Sequence, residues 1–384
     1  MKKAVLISCF NWYDARLKPV RDILAERGYE VSVLIADFDH IKKELVYPRS
    51  DECTYLHVPD YRSNLSVARI ISHISFAKQC RRFIYEHSPD IIYCQVPPNK
   101  AADYCACYKR ENPDVRLIVD IIDLWPESMP VGKLRSTPPA RMWMNWRNEA
   151  IKAADLVITE CGMYQNKLKK HLVGKQYGTL YLFRNQSESE RNAVLGHLRS
   201  VRDSTCREDI SIGYVGSINN IIDIEEIKNI VSGMKAGGFR VSMHIIGDGE
   251  TRREFLASMK KAGADVKYYG KVFDETAKAK ILGRCDFALN IMKRGLSVAL
   301  TIKSVDYLSK GVPVINNIKW DTWSLVERKK IGINYTGDPA ALVRDIRSSD
   351  LSQLSANAYR CYTEMFTEEA FTESVYRELS KLGI

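Results

Sequence analysis

The segment GLSVALTIKSVDYLSKGVPVINN carries two charged side chains of opposite sign at the predicted start of a short helix. Lys303 lies three residues before Asp306, so both side chains project from neighbouring turns. If the helix starts near Thr301, the N–H groups of its first turn have no intrahelical acceptor and favour an anion. The lysine adds a full positive charge, and the carboxylate is suited to accept hydrogen bonds from a sugar diol. An ordinary Lys–Asp surface pair, contributing about 0.2–0.5 kcal/mol, is the alternative.

Two glycine turns follow predicted strands in the same half of the chain. Gly216 and Ser217 come directly after the apolar run 210–215, and Gly247 follows the run 240–246. Glycine allows a backbone to approach a ligand closely, and ligands of open parallel sheets bind beyond the carboxyl ends of the strands. Neither turn has the spacing of a dinucleotide or nucleoside-triphosphate phosphate loop. Each therefore predicts either a ligand contact or a plain tight turn.

Strand-like and helix-like segments alternate along most of the 384 residues. The strands are continuous Val/Ile/Leu runs, which is typical of parallel sheets buried on both faces. The rhythm breaks over residues 185–209, which are mostly polar and charged. We therefore predict an α/β protein with two doubly wound domains, 1–184 and 210–367, joined by a linker. The amphipathic segment 368–384 predicts a last helix.

Composition excludes several classes of protein. The net charge of +10 is spread along the chain, and no basic stripe interleaves with aromatic residues, so nucleic-acid binding is not predicted. The 10 cysteines include no C-x-x-C pair, which favours reduced, packed thiols over a metal site. No apolar run reaches the roughly 20 residues of a membrane span, and the N-terminal run is too short for a signal peptide. We expect a cytoplasmic protein.

Residues 133–147, KLRSTPPARMWMNWR, combine four basic residues with two tryptophans and no acid. This mixture suits the surface of an anionic membrane, with Arg141 and Arg147 facing the lipid headgroups. An ordinary helix with buried tryptophans and solvated arginines explains it equally well. Peripheral association with the inner face of the plasma membrane is therefore one of two open interpretations.

Four segments resemble GT-B glycosyltransferases, in particular the retaining family 4. HIIGDGETRREFLASMKKAGADVKYYGKV is similar to the family's strand–Gly-x-Gly–helix run, and TIKSVDYLSKGVPVI to its K-x-x-E segment. DIIDLWPES resembles an element of bacterial members that build surface polysaccharides such as capsules, and ADLVITECGMYQNKL the strand and helix that follow it. The resemblance implies the GT-B fold, with two Rossmann-like domains facing a cleft and the last helix packed back on the first.

The resemblance also implies roles for individual residues. Lys303 and the backbone near Thr301 would hold the diphosphate of a nucleotide sugar, and Asp306 would bind the ribose. The remaining residues implied for nucleotide-sugar binding are Gly216, Ser217, Gly247, Lys271, Val272, Leu300 and Ile302. In the first domain, Asp120 and Asp123 would orient or deprotonate the acceptor hydroxyl. The acceptor itself would meet Asn11, Trp125 and Glu127.

This chain departs from the family pattern at two acidic positions. Asp306 replaces a glutamate, and Val298 stands where the family has a second acid. The loop after Gly216 also lacks the family's basic residue. Asp37-x-Asp39 matches a metal-binding pattern of GT-A enzymes, but it follows the second strand of a Rossmann-like unit, so we predict no metal there.

The function expected from the resemblance is a retaining glycosyltransferase without a required cofactor. It would move a sugar from a nucleotide donor, expected to be UDP-linked, to a glycan or lipid-linked acceptor in the biosynthesis of bacterial surface polysaccharide. Two alternatives stay open: a nucleotide-sugar epimerase or hydrolase of the same fold, and a catalytically degenerate partner subunit.

Overall fold

The structure is a computed structural model that describes residues 1–10, 14–47, 49–129, 136–200 and 208–384. The chain divides into two compact units. The first unit comprises Met1–Leu182 and Phe371–Ile384, and the second comprises Phe183–Ala370.

The first unit is built on a parallel sheet of seven strands in the order β5-β2-β1-β6-β7-β8-β9. The strands are β1 (Lys2–Ser8), β2 (Tyr29–Ala36), β5 (Thr54–Leu56), β6 (Ile91–Val96), β7 (Arg116–Ile121), β8 (Leu156–Thr159) and β9 (Gln176–Thr179), with a small antiparallel pair, β3 (Phe38–Asp39) and β4 (Glu44–Leu45). The helices are α1 (Asp14–Glu26), α2 (Val67–His87), α3 (Asn99–Glu111), α4 (Pro138–Ala153) and α5 (Gly162–Leu168).

The second unit repeats this plan with six parallel strands in the order β12-β11-β10-β13-β14-β15. They are β10 (Asp209–Val215), β11 (Arg240–Ile246), β12 (Asp265–Gly270), β13 (Phe287–Asn290), β14 (Val314–Asn316) and β15 (Gly332–Asn334). The helices are α6 (Glu188–Ser200), α7 (Ile224–Ala236), α8 (Arg252–Lys261), α9 (Glu275–Leu282), α10 (Ile302–Ser309), α11 (Asp321–Lys329), α12 (Pro339–Ser348) and α13 (Leu351–Met365). The last helix, α14 (Glu368–Ser380), belongs to the first unit from Phe371 onward.

The burial of the strands explains why the sheets are parallel and central. All six residues of β6 are buried, as are the last four of both β10 and β11. Strands that are apolar on both faces need helices on both sides, which crossover connections provide. In each sheet, successive strands are added first on one side of the first strand and then on the other. The order changes between β1 and β6 in the first sheet and between β10 and β13 in the second. Such switch points are where doubly wound sheets bind ligands.

Two segments differ from the sequence-based expectation. The predicted linker 185–209 contains helix α6, whose Val194 is buried in the second unit. The apolar residues of this helix are few among the polar ones, so the segment reads as a linker. Residues 201–207 lie outside the described ranges. The apolar run TLYLF, residues 179–183, predicts a strand, but strand β9 ends at Thr179, so most of this run lies beyond it.

Helix α14 packs on the first unit through both apolar and polar contacts. Phe371 is buried beneath the guanidinium of Arg16, 5.3 Å from the ring centroid. Farther along, Lys381 donates to the carbonyl of Tyr177 at 2.9 Å. These contacts bring the end of the chain back to the sheet on which it started.

Two loops of the second unit approach each other more closely than side chains would allow. Gly216 and Gly247 follow β10 and β11 with φ of +124° and +136°. The Gly216 N–H donates to the Ile246 carbonyl at 3.0 Å, and the Gly247 N–H donates to the Gly270 carbonyl at 2.7 Å. A Cβ at residue 247 would lie 1.9 Å from the Gly216 carbonyl oxygen. The contact therefore requires glycine.

We expect Gly247→Ala to destabilise the second unit by about 3 kcal/mol, because it adds a backbone clash to an unfavourable φ. Gly270→Ala is the matched control, since residue 270 has a φ of +67° and open space around its Cβ position. The control substitution should lower the free energy of unfolding by only about 1–2 kcal/mol. Thermal unfolding followed by circular dichroism measures both. Equal losses would contradict the role of the close approach.

Candidate functional site

The first turn of α10 is open at the carboxyl end of the second sheet. The Thr301 side chain caps the helix by accepting a hydrogen bond from the Ser304 N–H at 3.0 Å. The N–H groups of Ile302 and Lys303 donate to no acceptor in the described ranges, and the Ile302 side chain is exposed. A capped helix with free N–H groups in its first turn favours an anion.

Lys303 places a cation at this turn without a counter-charge. Its Nζ lies over the Tyr214 ring at the end of β10, 5.2 Å from the centroid. Burial lowers the pKa of Lys303 to about 8, and no carboxylate in the described ranges offsets that loss of solvation. A partly buried, unpaired ammonium is an unstable arrangement that an anionic ligand would relieve.

The other residues expected to hold a nucleotide sugar lie at the same edge of the sheet. Ser217 is exposed, and its carbonyl accepts a hydrogen bond from the Tyr214 hydroxyl at 2.8 Å. Lys271 and Val272 follow β12, with Lys271 exposed and Val272 partly buried, and Leu300 precedes the cap of α10. Parallel strands bring Gly216, Gly247 and these residues to one edge because all their carboxyl ends point the same way.

Asp306 lies one turn beyond Lys303 and belongs to a buried charge network. Lys310 Nζ and Arg184 Nε approach its Oδ1 at 2.5 and 3.1 Å. The same two cations contact Glu275 Oε2, at 3.3 Å from Lys310 and 2.5 Å from Arg184. The Glu275 pKa falls to about 2; burial opposes this shift, and Lys278, Lys310 and Arg184 cause it.

The network leaves one oxygen of Asp306 available. Both cations approach Oδ1, and Oδ2 accepts no hydrogen bond from the described residues. The side chain is about 10% exposed, so a ligand at the open edge can reach it. The role of Asp306 as a ribose ligand stays a prediction, now restricted to Oδ2.

In the first unit, Asp120 is a buried structural residue. It is fully buried, and Arg16 donates to both of its oxygens at 2.9 and 3.0 Å. The Tyr93 hydroxyl donates to Oδ2 at 2.8 Å. The structure thus corrects the expectation that Asp120 meets an acceptor hydroxyl, because its carboxylate is enclosed and already bound.

Asp123 and Glu160 lie together at the ends of β7 and β8. Asp123 is partly buried and accepts hydrogen bonds from the hydroxyls of Ser128 and Tyr164, and burial raises its pKa. The Glu160 N–H donates to the Ile121 carbonyl at 3.0 Å, while its carboxylate has no hydrogen-bond donor in the described ranges. Burial raises the pKa of Glu160 to about 7, and nearby Asp120 and Asp123 add to the shift. A carboxyl group with a pKa near 7 suits general base catalysis.

The residues predicted to bind the acceptor are mostly engaged within the first unit. Trp125 is 9% exposed, and the Arg69 guanidinium covers its ring at 4.4 Å. Glu127 forms a two-pronged ion pair with Arg147, with both distances 2.8 Å. Asn11 lies outside the described residues.

The buried position of Arg147 corrects one part of the membrane hypothesis. Arg147 is 1% exposed, so it does not face a lipid surface, whereas Arg141 and Met142 on the same helix are exposed. Residues 133–135 lie outside the described ranges. No helix in the described part of the chain is long and apolar enough to span a bilayer.

The Asp37-x-Asp39 pattern does not form a metal cluster. Asp37 is buried and accepts hydrogen bonds from Arg49 at 3.2 Å and from the Val58 N–H at 3.1 Å. Asp39 accepts from the N–H groups of Ile41 and Lys42. The described ranges contain no group of three His, Cys, Asp or Glu side chains placed to hold a metal ion.

Comparison with known proteins gives the fold. No protein-family model and no curated protein matches the chain. Sucrose-phosphate synthase from Thermosynechococcus elongatus matches with a TM-score of 0.66 at 14% identity, over 100% of this chain and 99% of that one. HepE from Anabaena, solved with UDP, matches with a TM-score of 0.64 at 15% identity, over 99% and 100%. The chain has the GT-B fold.

Another GT-B structure of similar likeness is the UDP-forming α,α-trehalose-phosphate synthase from Burkholderia xenovorans. It has a TM-score of 0.66 at 10% identity and covers 100% of both chains. The predicted fold class is confirmed, with two Rossmann-like parallel-sheet domains.

Sequence reasoning missed three residues that the structure places beside candidate site residues of their own unit. Lys310 follows Asp306 by four positions, a helical ion-pair spacing that the sequence does show. Arg184 is distant in sequence and carries no local signal. Glu160 directly follows strand β8, so the rule that ligands bind beyond the carboxyl ends of parallel strands could have selected it.

We expect Glu160 to make the stability of the first unit depend on pH between about 4.5 and 7. The pKa of Glu160 is about 7 in the folded state, whereas a glutamate in the unfolded chain has an ordinary pKa of 4.5. The folded state therefore binds more protons across this window, and its advantage declines as the pH rises. Glu160→Gln should remove that decline, as measured by urea unfolding at several pH values. Glu373→Gln, at an exposed position of the same unit, controls for the change in charge, and parallel curves for wild type and Glu160→Gln would contradict the expectation.

Proposed function

We propose that the protein is a glycosyltransferase that takes a sugar from a UDP-linked donor. The observation that carries the proposal is the unpaired Lys303 ammonium at the open first turn of α10. It lies beside two glycine loops at the switch point of a doubly wound sheet. HepE, which shares the fold, was solved with UDP, and with UDP and glucose.

The proposed site supplies what a leaving diphosphate needs. When the bond between the anomeric carbon and the phosphate oxygen breaks, negative charge develops on the diphosphate and positive charge on the sugar ring. Lys303 and the N–H groups of Ile302 and Lys303 stabilise the negative charge. Preorganised donors of this kind are worth about 3–4 kcal/mol each in catalysis. We propose that transfer proceeds without a metal cofactor, because these groups already provide positive charge.

The ribose is proposed to bind Asp306 through Oδ2. Lys310 and Arg184 hold Oδ1 and fix the orientation of the carboxylate. Such a carboxylate accepts hydrogen bonds from two adjacent hydroxyl groups without having to reorganise. The shorter side chain of aspartate, compared with the glutamate of the resembled family, is compensated by this fixed position.

The acceptor is proposed to bind the first unit near Asp123 and Glu160. As the new bond between the acceptor oxygen and the anomeric carbon forms, the hydroxyl proton must leave. Glu160 suits this step because its pKa is about 7, and Asp123 suits orientation of the hydroxyl. We propose a retaining reaction and a glycan or lipid-linked acceptor of bacterial surface polysaccharide, on the resemblance described above.

Titration calorimetry with UDP, GDP, dTDP and ADP tests the site and the donor together. We expect UDP to bind the wild-type protein best. Lys303→Ala should weaken UDP by about 1.5–3 kcal/mol, roughly ten- to a hundredfold in Kd, because a charge-assisted contact is lost. Lys280→Ala removes an exposed lysine of α9 and should leave the Kd unchanged.

Several outcomes would overturn parts of the proposal. Equal UDP affinity for wild type and Lys303→Ala would place the diphosphate elsewhere. Without an acceptor, release of UDP from UDP-sugars would favour a hydrolase, and conversion of one UDP-sugar into another would favour an epimerase. UDP binding without turnover would favour a degenerate partner subunit.

Lys303 also predicts how UDP binding depends on pH. Its pKa in the free protein is about 8, so it loses its positive charge as the pH rises through that value. The terminal phosphate of UDP is fully ionised above pH 7, since such groups have a second pKa of about 6. We therefore expect the affinity for UDP to fall between pH 7.5 and about 9 in the wild type. The fall should be absent in Lys303→Ala, and a pH-independent wild-type Kd would contradict it.

A further inference from the structure

A cavity of about 450 Å³ opens at the carboxyl ends of β13, β14 and β15 in the second unit. The loops after these strands and the start of α7 form its walls. Its volume falls within the range of about 300–1,000 Å³ typical of small-molecule sites. It has room for a hexose with a substituent.

Trp320 contributes an indole to this cavity from a strained backbone position. Its φ of +63° and ψ of −122° lie in a region that large side chains rarely adopt. The side chain is 46% exposed, so burial of the ring does not offset the strain. Strained residues of this kind persist mainly at ligand sites, and exposed aromatic faces suit sugar rings.

The cavity carries more positive than negative charge. Lys293, Arg294 and Lys319 line it, and none has a carboxylate of the described ranges within ion-pair distance. Burial and the proximity of Arg294 both lower the pKa of Lys319. Glu226, the acid in the lining, already accepts the Tyr335 hydroxyl at 2.6 Å. Lys319 Nζ lies over the Trp323 ring, 3.1 Å from its centroid, which does not neutralise its charge. The excess of positive charge therefore favours an anionic ligand.

The position of the cavity relates it to the proposed donor site. The loop from Met292 to Thr301 leads directly from the cavity wall to the first turn of α10. Strand β13, which precedes this loop, lies beside β10 in the sheet. A donor with its diphosphate at Lys303 can thus extend its sugar into the cavity. Val298 also lines the cavity, and an acidic side chain at this position would repel a negatively charged sugar.

We propose that the cavity selects a donor whose sugar carries a carboxylate, that is, a UDP-linked uronic acid. This inference rests on the proposed function. The sugar ring packs against Trp320, and its carboxylate binds Arg294 and Lys319. Guanidinium and carboxylate groups match in planar geometry, so this contact is specific as well as attractive.

Calorimetry with UDP, UDP-glucose and UDP-glucuronic acid tests the inference. We expect UDP-glucuronic acid to bind the wild-type protein about tenfold or more tightly than UDP-glucose. Arg294→Ala and Lys319→Ala should each remove most of this preference and leave the Kd of UDP unchanged. Arg328→Ala, at an exposed position of α11 outside the cavity, is the charge-matched control and should retain the preference.

The outcomes separate this inference from the proposed function. If UDP binds but the two UDP-sugars bind equally well, the inference is wrong and the proposed function stands. If UDP itself does not bind, the proposed function fails. If Arg294→Ala weakens the binding of UDP as much as the binding of UDP-glucuronic acid, the cations do not act on the sugar. The inference then also fails.

Trp320→Gly distinguishes a ligand role from a structural one. Glycine adopts a positive φ without strain, so the thermal stability should be kept or raised. The affinity for UDP-glucuronic acid should nevertheless fall about tenfold, whereas that for UDP should not change. Trp320→Phe keeps a ring and should retain most of the affinity. A loss of stability in Trp320→Gly with unchanged sugar affinity would show that the indole supports the fold, and would overturn its assigned role.

Discussion

The candidate site of the second unit depends on how firmly the short helix α10 is held. A helix of eight residues is not stable by itself, because nucleation costs more than so few hydrogen bonds return. Tyr307, fully buried, accepts a hydrogen bond from the Val215 N–H at 2.9 Å and donates to the Leu289 carbonyl at 3.2 Å. The ion pairs of Asp306 with Lys310 and Arg184 fix its other side. The direction of the open first turn, and with it the position of Lys303, follows from these contacts.

The second unit divides its cations into two groups. Arg184 and Lys310 are enclosed and paired with carboxylates, so removing a partner would leave a buried charge uncompensated. Lys303, Arg294 and Lys319 lie at the ends of the strands, and no carboxylate of the described residues forms an ion pair with them. The first group stabilises the architecture, and the second group is available to an anionic ligand. The division explains why a basic composition is compatible with a specific site instead of general adhesion to polyanions.

The sequence predicts the sheets well because continuous apolar runs such as β6 have few alternatives to a buried parallel strand. The start of α10 is equally predictable from Thr301, a favourable cap. The surroundings of individual side chains cannot be predicted in this way. Asp120 and Asp123 are the same residue type three positions apart, but only the first lies inside β7 and is enclosed. The contact of Arg184 with helix α10 joins chain segments that are far apart in sequence and that only folding brings together.

Gly216 and Gly247 bring two backbone segments into direct contact at the edge of the second sheet. A contact between backbone atoms excludes side chains at residue 247, so this part of the edge cannot vary without moving the two loops apart. The loops after β13, β14 and β15 instead contribute side chains to the neighbouring cavity, among them Arg294 and Lys319. If the protein acts as proposed, point mutations in those loops would alter the preferred sugar while the contact between Gly216 and Gly247 stays intact.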